Sequence, residues 1–185
     1  MISQEVAAGL LFAGAAGRGG GTLTVRGQDR DGTRRYADFG PLQGRDFVRW
    51  AARVGQVDEL RLDLVPRERG RERPLVHVLW VDSAPLRLLE RFRPRPNLVV
   101  EHSEGAFGLW QLGRPMRAAR ALDALAGLAA ALDGDRRAVS LEYRARVPGT
   151  VEPHSGSAVT AVFVDLTAHS PEGLLRAVSG HRRAA

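Results

Sequence analysis

The sequence predicts an α+β fold: a single domain in which a mixed or antiparallel central sheet is flanked by helices. Three observations carry this expectation. Thr22–Arg26 (TLTVR) and Arg34–Phe39 (RRYADF) alternate like the two strands of a hairpin, joined across the turn residues Asp29–Gly32. Asn97–Trp110 (NLVVEHSEGAFGLW) reads as a second hairpin, with an extended strand, a glycine-containing bend and an aromatic-ended strand. Pro115–Leu132 is the longest helical stretch, with proline in its first turn and Gly134 just past its end.

The other elements follow in chain order. Val6–Ala16 spaces Val6, Leu10 and Leu11 as an amphipathic helix ended by the glycine cluster Gly17–Gly21. The run is too short to span a bilayer and has no cationic region before it. Arg45–Val54 places Phe47, Val48, Trp50 and Ala51 near helical spacing. Glu59–Val65 (ELRLDLV) alternates leucines inward against Arg61 and Asp63 outward, a half-buried strand. Arg67–Arg73 (RERGRER) is a charged loop, either a solvated hairpin tip or a contact to a phosphate backbone. Leu75–Val81 is apolar almost throughout, the pattern of a central strand buried on both faces. Pro85–Phe92 makes a short helix stopped by Pro94 and Pro96. Ala158–Leu166 is a late core strand, and Ser170 caps a final helix over Pro171–Val178. No internal repeat or linker divides the chain.

Composition bounds the chemistry. With 185 residues, 44% hydrophobic and 26% charged, the chain can bury a sizeable core. It has no cysteine, so disulfides, thiolate zinc sites and cysteine nucleophiles are excluded. All 27 basic residues are arginine, which excludes a phosphate-loop lysine and Schiff-base chemistry. A net charge of +6 favours a polyanionic partner, DNA above all. The five histidines show no metal-ligand spacing, and Gly17–Gly21 lacks the Lys-Ser/Thr of a phosphate loop. Trp50, Trp80 and Trp110 sit in apolar-periodic elements and are expected in the core. Tyr36 and Phe39, interleaved with Arg34 and Arg35 on a candidate edge strand, are better suited to stack on bases, with ordinary edge packing as the alternative. The nucleic-acid-binding candidates are therefore Arg34, Arg35, Tyr36 and Arg144. A soluble, cytoplasmic protein without a membrane partner is expected.

The middle of the chain carries a resemblance. An apolar strand (VHVLWVD) ends on Asp82, and a helix and the Pro94/Pro96 pair lead into the hairpin ending on Trp110. The long helix then precedes Arg146-Val147-Pro148-Gly149-Thr150. This order resembles the primase–polymerase domain of the archaeo-eukaryotic primase superfamily, in the branch of plasmid and phage replication primases. The resemblance implies a catalytic core like an RNA-recognition motif. It also implies two carboxylates one residue apart on a strand end, a third acid to complete a divalent-metal site, and a Ser-x-His element holding the incoming nucleotide. Two carboxylates so spaced project from one strand face and together can hold a cation against a triphosphate.

This chain departs from that pattern at nearly every chemical position. Asp82 stands as the first carboxylate, but its partner position is Ala84. Phe107 occupies the place of the nucleotide-binding histidine and Ser140 that of the upstream acid. Glu152 and His154 replace the asparagine and lysine that usually follow the Pro-Gly-Thr turn. Asp82 is a residual metal candidate, or a cap for the helix after it. His102, Ser103, Arg146 and Thr150 are nucleotide-binding candidates, with a solvent-facing strand edge as the alternative for His102. Arg146 meets a phosphate, or pairs with Glu142 or a backbone carbonyl. Asp133 and Asp135 are a solvated turn or substitute acids. The expectation is a catalytically inactive primase-like subunit without a cofactor, binding DNA or an active primase or helicase partner in plasmid, phage or mobile-element replication. The alternatives are an active divergent primase or polymerase, which would use Mg²⁺ or Mn²⁺ with Asp82, Glu101, Glu104, Asp133 or Asp135, and a protein-docking module without nucleic-acid binding.

Overall fold

The computed structural model describes residues 3–17, 21–28, 31–54, 59–67, 74–152 and 155–184, the side chains of 181–184 excepted. Residues 29 and 30 of the first turn, 68–73 of the charged loop, residues 18–20 and His154 lie outside the described residues.

Among the described residues, eight strands form two antiparallel four-stranded sheets. The first contains β1 (Leu23–Gln28), β2 (Arg34–Phe39), β3 (Glu59–Asp63) and β7 (Arg144–Arg146), in the order β2-β1-β3-β7. The second contains β4 (Leu75–Ala84), β5 (Leu98–His102), β6 (Gly105–Arg117) and β8 (Thr160–Val164), in the order β4-β6-β5-β8. Five helices accompany them: α1 (Gln4–Ala16), α2 (Gly44–Val54), α3 (Leu86–Arg91), α4 (Ala118–Ala131) and α5 (Pro171–Ala184).

Helix α1 is apolar on nearly every side and touches α2 as well as strands of the second sheet. Its Phe12 stacks on Phe47 of α2 at 4.9 Å and meets Phe39 of β2 edge-on, which ties the first sheet to the same core. Helix α4 lies on β4 and against α5. Ser170 caps α5 as the sequence suggests, accepting from Gly173. Ser3, which sequence reading does not single out, accepts from the Val6 amide at the start of α1.

At the first turn of α1, the Gln4 carboxamide reaches β8. Its oxygen accepts from the Ala161 amide at 2.7 Å and its nitrogen donates to the Ala161 carbonyl at 3.4 Å.

Three elements differ from the sequence reading. Among the described residues, strand β4 ends its sheet, with β6 as its single ladder neighbour. It is buried because α1 and α4 pack on it, so its apolar run reports covering helices rather than two flanking strands. Strand β8, expected in the core, is also an end strand and leaves Val162 partly exposed. Helix α4 begins at Ala118 because β6 continues through Arg117. The β4–β6 register slips between Val76 and Val78, opposite Gly113–Pro115, so Pro115 has no ladder partner to satisfy there.

Candidate functional site

The site is built where the first sheet, β4 and the β5–β6 hairpin meet. The β4–β6 register slips again between Val81 and Ala84, and Ser83 adopts φ 54. This bulge re-aims Asp82. The two-residue turn Ser103–Glu104 lies directly on it. Gly105 has φ 137, and a Cβ there would sit 3.0 Å from the Ser83 backbone, so only glycine allows the approach. Behind the bulge, the Asp135 amide donates to the Asp82 carbonyl at 2.8 Å, while a side chain at Gly134 would collide with Val81.

With its backbone fixed from both sides, Asp82 turns its carboxylate into the cleft. Oδ1 meets His102 Nε2 at 2.8 Å. His102 Nδ1 lies 3.3 Å from the Glu104 amide, which donates to it, and Nε2 faces Asp82. Oδ2 accepts from the Tyr143 hydroxyl at 2.6 Å and from Arg146 Nη1 at 3.4 Å.

Arg146 is the centre of the cluster, its side chain 7% exposed. Nη2 donates to Glu104 at 2.8 Å, and Nε stands 3.1 Å from Glu152 and 3.3 Å from Glu59. Glu59 also pairs with Arg61 at 2.7 Å. Four carboxylates from separate parts of the chain therefore surround one guanidinium.

The electrostatics follow from this arrangement. Burial alone would raise the Asp82 pKa, but hydrogen bonds from His102 and Tyr143 and the charge of Arg146 outweigh it, leaving it below its ordinary value of 3.8. Burial, then the Asp82 charge, pushes the Tyr143 phenol well above 10.0, so it remains a donor. For Glu152, burial is outweighed by hydrogen bonds from Ser103 and Ser155 and by Arg146, which together lower its pKa. Burial opposes the charge of Arg146, but Glu104 and Asp82 more than restore it.

Neither a protein family nor a curated protein matches this sequence. Solved structures do match. The catalytic domain of primase RepB′, crystallised with initiator DNA, superposes with a TM-score of 0.69 at 15% identity, covering 98% of this chain and 96% of that one. A longer RepB′ structure gives 0.70 at 15% identity over 98% of this chain, which spans 64% of that one. The archaeo-eukaryotic primase domain of the cyanophage S-2L primase–polymerase gives 0.62 at 12% identity, over 85% of this chain and 89% of that one. The fold is that of a primase–polymerase. The α+β expectation and the fold of the family it resembles are both met.

The primase–polymerase fold implies a divalent metal between paired carboxylates. The residues present do not fit one. Ala84, in the second carboxylate position, is fully buried and pairs with Ala106. Both oxygens of Asp82 are committed, and a cation already sits among the acids. Among the described residues, no three or more histidine or acidic side chains are arranged to hold a metal.

The other sequence candidates fall into place around this. Asp82 does not cap α3, whose first turn has no side-chain cap. His102 is buried against Asp82 rather than facing solvent. Ser103 bonds Glu152, and the Thr150 hydroxyl donates to the Val147 carbonyl within its own turn. Arg146 bypasses Glu142 for the four acids of the cleft. Phe107 stacks on Tyr143, which stacks on Trp80, forming an apolar wall behind Asp82. Asp135 caps a short 3₁₀ turn, Arg136–Ala138, and pairs with Arg137. Sequence reasoning does not single out Glu59, Tyr143 or Glu152 as site residues. The available signal is alternation: ELRLD and RAR each place charged side chains on one strand face, and that face is the wall of the cleft.

The same face continues outward as a basic surface. Cross-strand register places Tyr36, Arg26, Arg61 and Arg146 in one row across the first sheet. Arg26 lies 5.7 Å over the Tyr36 ring. Beside the row, Arg34 and Arg144 complete a pocket of about 260 Å³. The Arg144 guanidinium pairs with Asp63, whereas the buried Arg26 Nε has no hydrogen-bond partner among the described residues. Arg35 pairs with Gly27 and faces the opposite side from Arg34 and Tyr36. Phe39 is buried against Phe12, Phe47 and Trp50, leaving Tyr36 as the exposed ring. Trp80 and Trp110 are core residues, each donating its indole N–H to a carbonyl.

Proposed function

We propose that the protein is a non-catalytic subunit of primase–polymerase fold. It acts in replication of a plasmid, phage or integrated element by binding DNA, an active primase or helicase, or both. The observation that carries the catalytic half is the convergence of Asp82, Glu59, Glu104 and Glu152 on the Arg146 guanidinium. Phosphoryl transfer in such a cleft needs cations that bridge enzyme carboxylates and substrate phosphates. Here those carboxylates are engaged by Arg146 from within the chain, and because they outnumber the guanidinium groups the cleft stays anionic and repels a triphosphate.

The DNA half draws support from the row of arginines around Tyr36. Guanidinium groups hold phosphates bidentately, and an exposed ring offers a surface for a base. RepB′, which shares the fold over nearly the whole chain, was crystallised with initiator DNA.

An active, divergent enzyme is the second reading. It is favoured by the same gathering of acids, since Glu104 joins Asp82 at the cleft. It requires Arg146 to withdraw from a cluster that holds it on several sides. Primer synthesis on a single-stranded template, with Mg²⁺ or Mn²⁺ and NTPs or dNTPs, separates the two. The expected result is no product; robust synthesis that disappears in Asp82→Ala establishes the divergent enzyme instead.

A further inference from the structure

The charge balance around Arg146 leads beyond the absence of a fitting metal site. Four carboxylates (Glu59, Asp82, Glu104 and Glu152) face two guanidinium groups, Arg146 and Arg61, leaving two negative charges among these six side chains. Glu104 is 59% exposed, so water screens part of this excess at the mouth. The other three carboxylate side chains are at most 15% exposed and need a cation close by.

Two orphaned atoms mark how that need is met. Arg146 Nε and Glu152 Oε1 are both buried, lie 3.1 Å apart, and neither makes an aligned hydrogen bond. Glu152 is 6% exposed and directs this oxygen, ion-paired with Arg146 but without an aligned hydrogen bond, at the cluster. A planar guanidinium has donors only in fixed directions and cannot serve four carboxylates equally. A metal cation draws oxygens from several directions at once and would take that oxygen as a ligand.

We propose that Arg146 is the resident cation of this cleft, held among four carboxylates. With Arg146 in place the protein binds no Mg²⁺ or Mn²⁺ there; with a neutral residue in its place, the same acids form a divalent-cation site. This deepens the non-catalytic reading and rests on it. Asp82, Glu59, Glu104 and Glu152 are instead held by a side chain that the chain supplies itself.

The test is Mn²⁺ titration of the intact chain by calorimetry and by electron paramagnetic resonance of free Mn²⁺, with thermal melting alongside. Wild type takes up no Mn²⁺ at 1 mM (roughly the level that separates weak from specific sites) and melts at the same temperature with or without it. Arg146→Gln binds Mn²⁺ at least tenfold more tightly than wild type and melts higher in its presence. Asp82→Asn added to that variant removes the gain. If Arg146→Gln fails to fold in metal-free buffer, millimolar Mn²⁺ rescues it where NaCl of equal ionic strength does not.

Two results overturn the proposal. One is wild-type Mn²⁺ uptake that Asp82→Asn abolishes. The other is an Arg146→Gln chain that, folded or unfolded, gains nothing from Mn²⁺. The second leaves the non-catalytic reading intact, because the primer-synthesis assay decides that separately.

Discussion

At Arg146 four carboxylates meet one buried guanidinium. Removing one partner of a buried ionic network leaves the others uncompensated, which typically costs about 3–5 kcal/mol. Arg146→Ala in metal-free buffer is expected to lose that much in urea unfolding. Glu104→Gln, whose side chain is mostly in water, is expected to lose under about 1 kcal/mol. Acid tests the same network. The Asp82 and Glu152 pKa values are lowered in the folded state, from 3.8 and 4.5, so their contribution is complete above those values and lost as pH falls below them. Stability measured from pH 6 down to pH 3 should therefore fall more steeply in wild type than in Asp82→Asn. The loss should be confined to pH below about 5. Asp82 and Arg146 are legible as chemistry-bearing residues from their motifs. Glu59 is not, because an acid on the polar side of ELRLDLV looks solvated until β7 is known to lie beside β3.

Among the elements, hairpins and helices with punctuating glycine or proline are legible in the sequence, since their signals are local. The two end strands of the second sheet are misplaced by sequence reading for a common physical reason. Apolar content measures how much a strand is covered, whereas ladder position depends on which backbone groups find partners, and hydropathy does not record that. Strand β7 reads as part of a turn because three residues are too few for an alternation to stand out. The β5–β6 hairpin offers a test at this scale. Gly105→Ala places a Cβ against Ser83 at φ 137, a strained conformation with a close backbone approach. It should cost about 1–3 kcal/mol and shift the His102 ring resonances, because the turn that holds Asp82 and His102 together must move.

For the molecule as a whole, charge distribution says more than net charge. Acidic groups gather inside the cleft, while Arg26, Arg34 and Tyr36 open onto solvent across the same sheet. If DNA lies on that face, log affinity falls linearly with log salt. The double variant Arg26→Ala/Arg34→Ala should then flatten the slope by roughly 2, at about one unit for each phosphate that the protein no longer neutralises. Arg35→Ala, on the other side of the strand, should leave it unchanged; anisotropy titrations between low and physiological salt measure all three. Affinity that ignores salt, or no DNA binding at low salt, leaves the protein-docking alternative.

The Gln4 carboxamide has a consequence at this scale too. It offers Ala161 one acceptor and one donor, as the backbone of an adjoining strand would, so a lone side chain plugs the open border of β8. Gln4→Ala unplugs it. Because Val162 and Leu166 are already in contact with water nearby, the bared border is a template on which a second copy could dock edge to edge. The variant's oligomers should grow with protein concentration in light scattering, while wild type stays a single species.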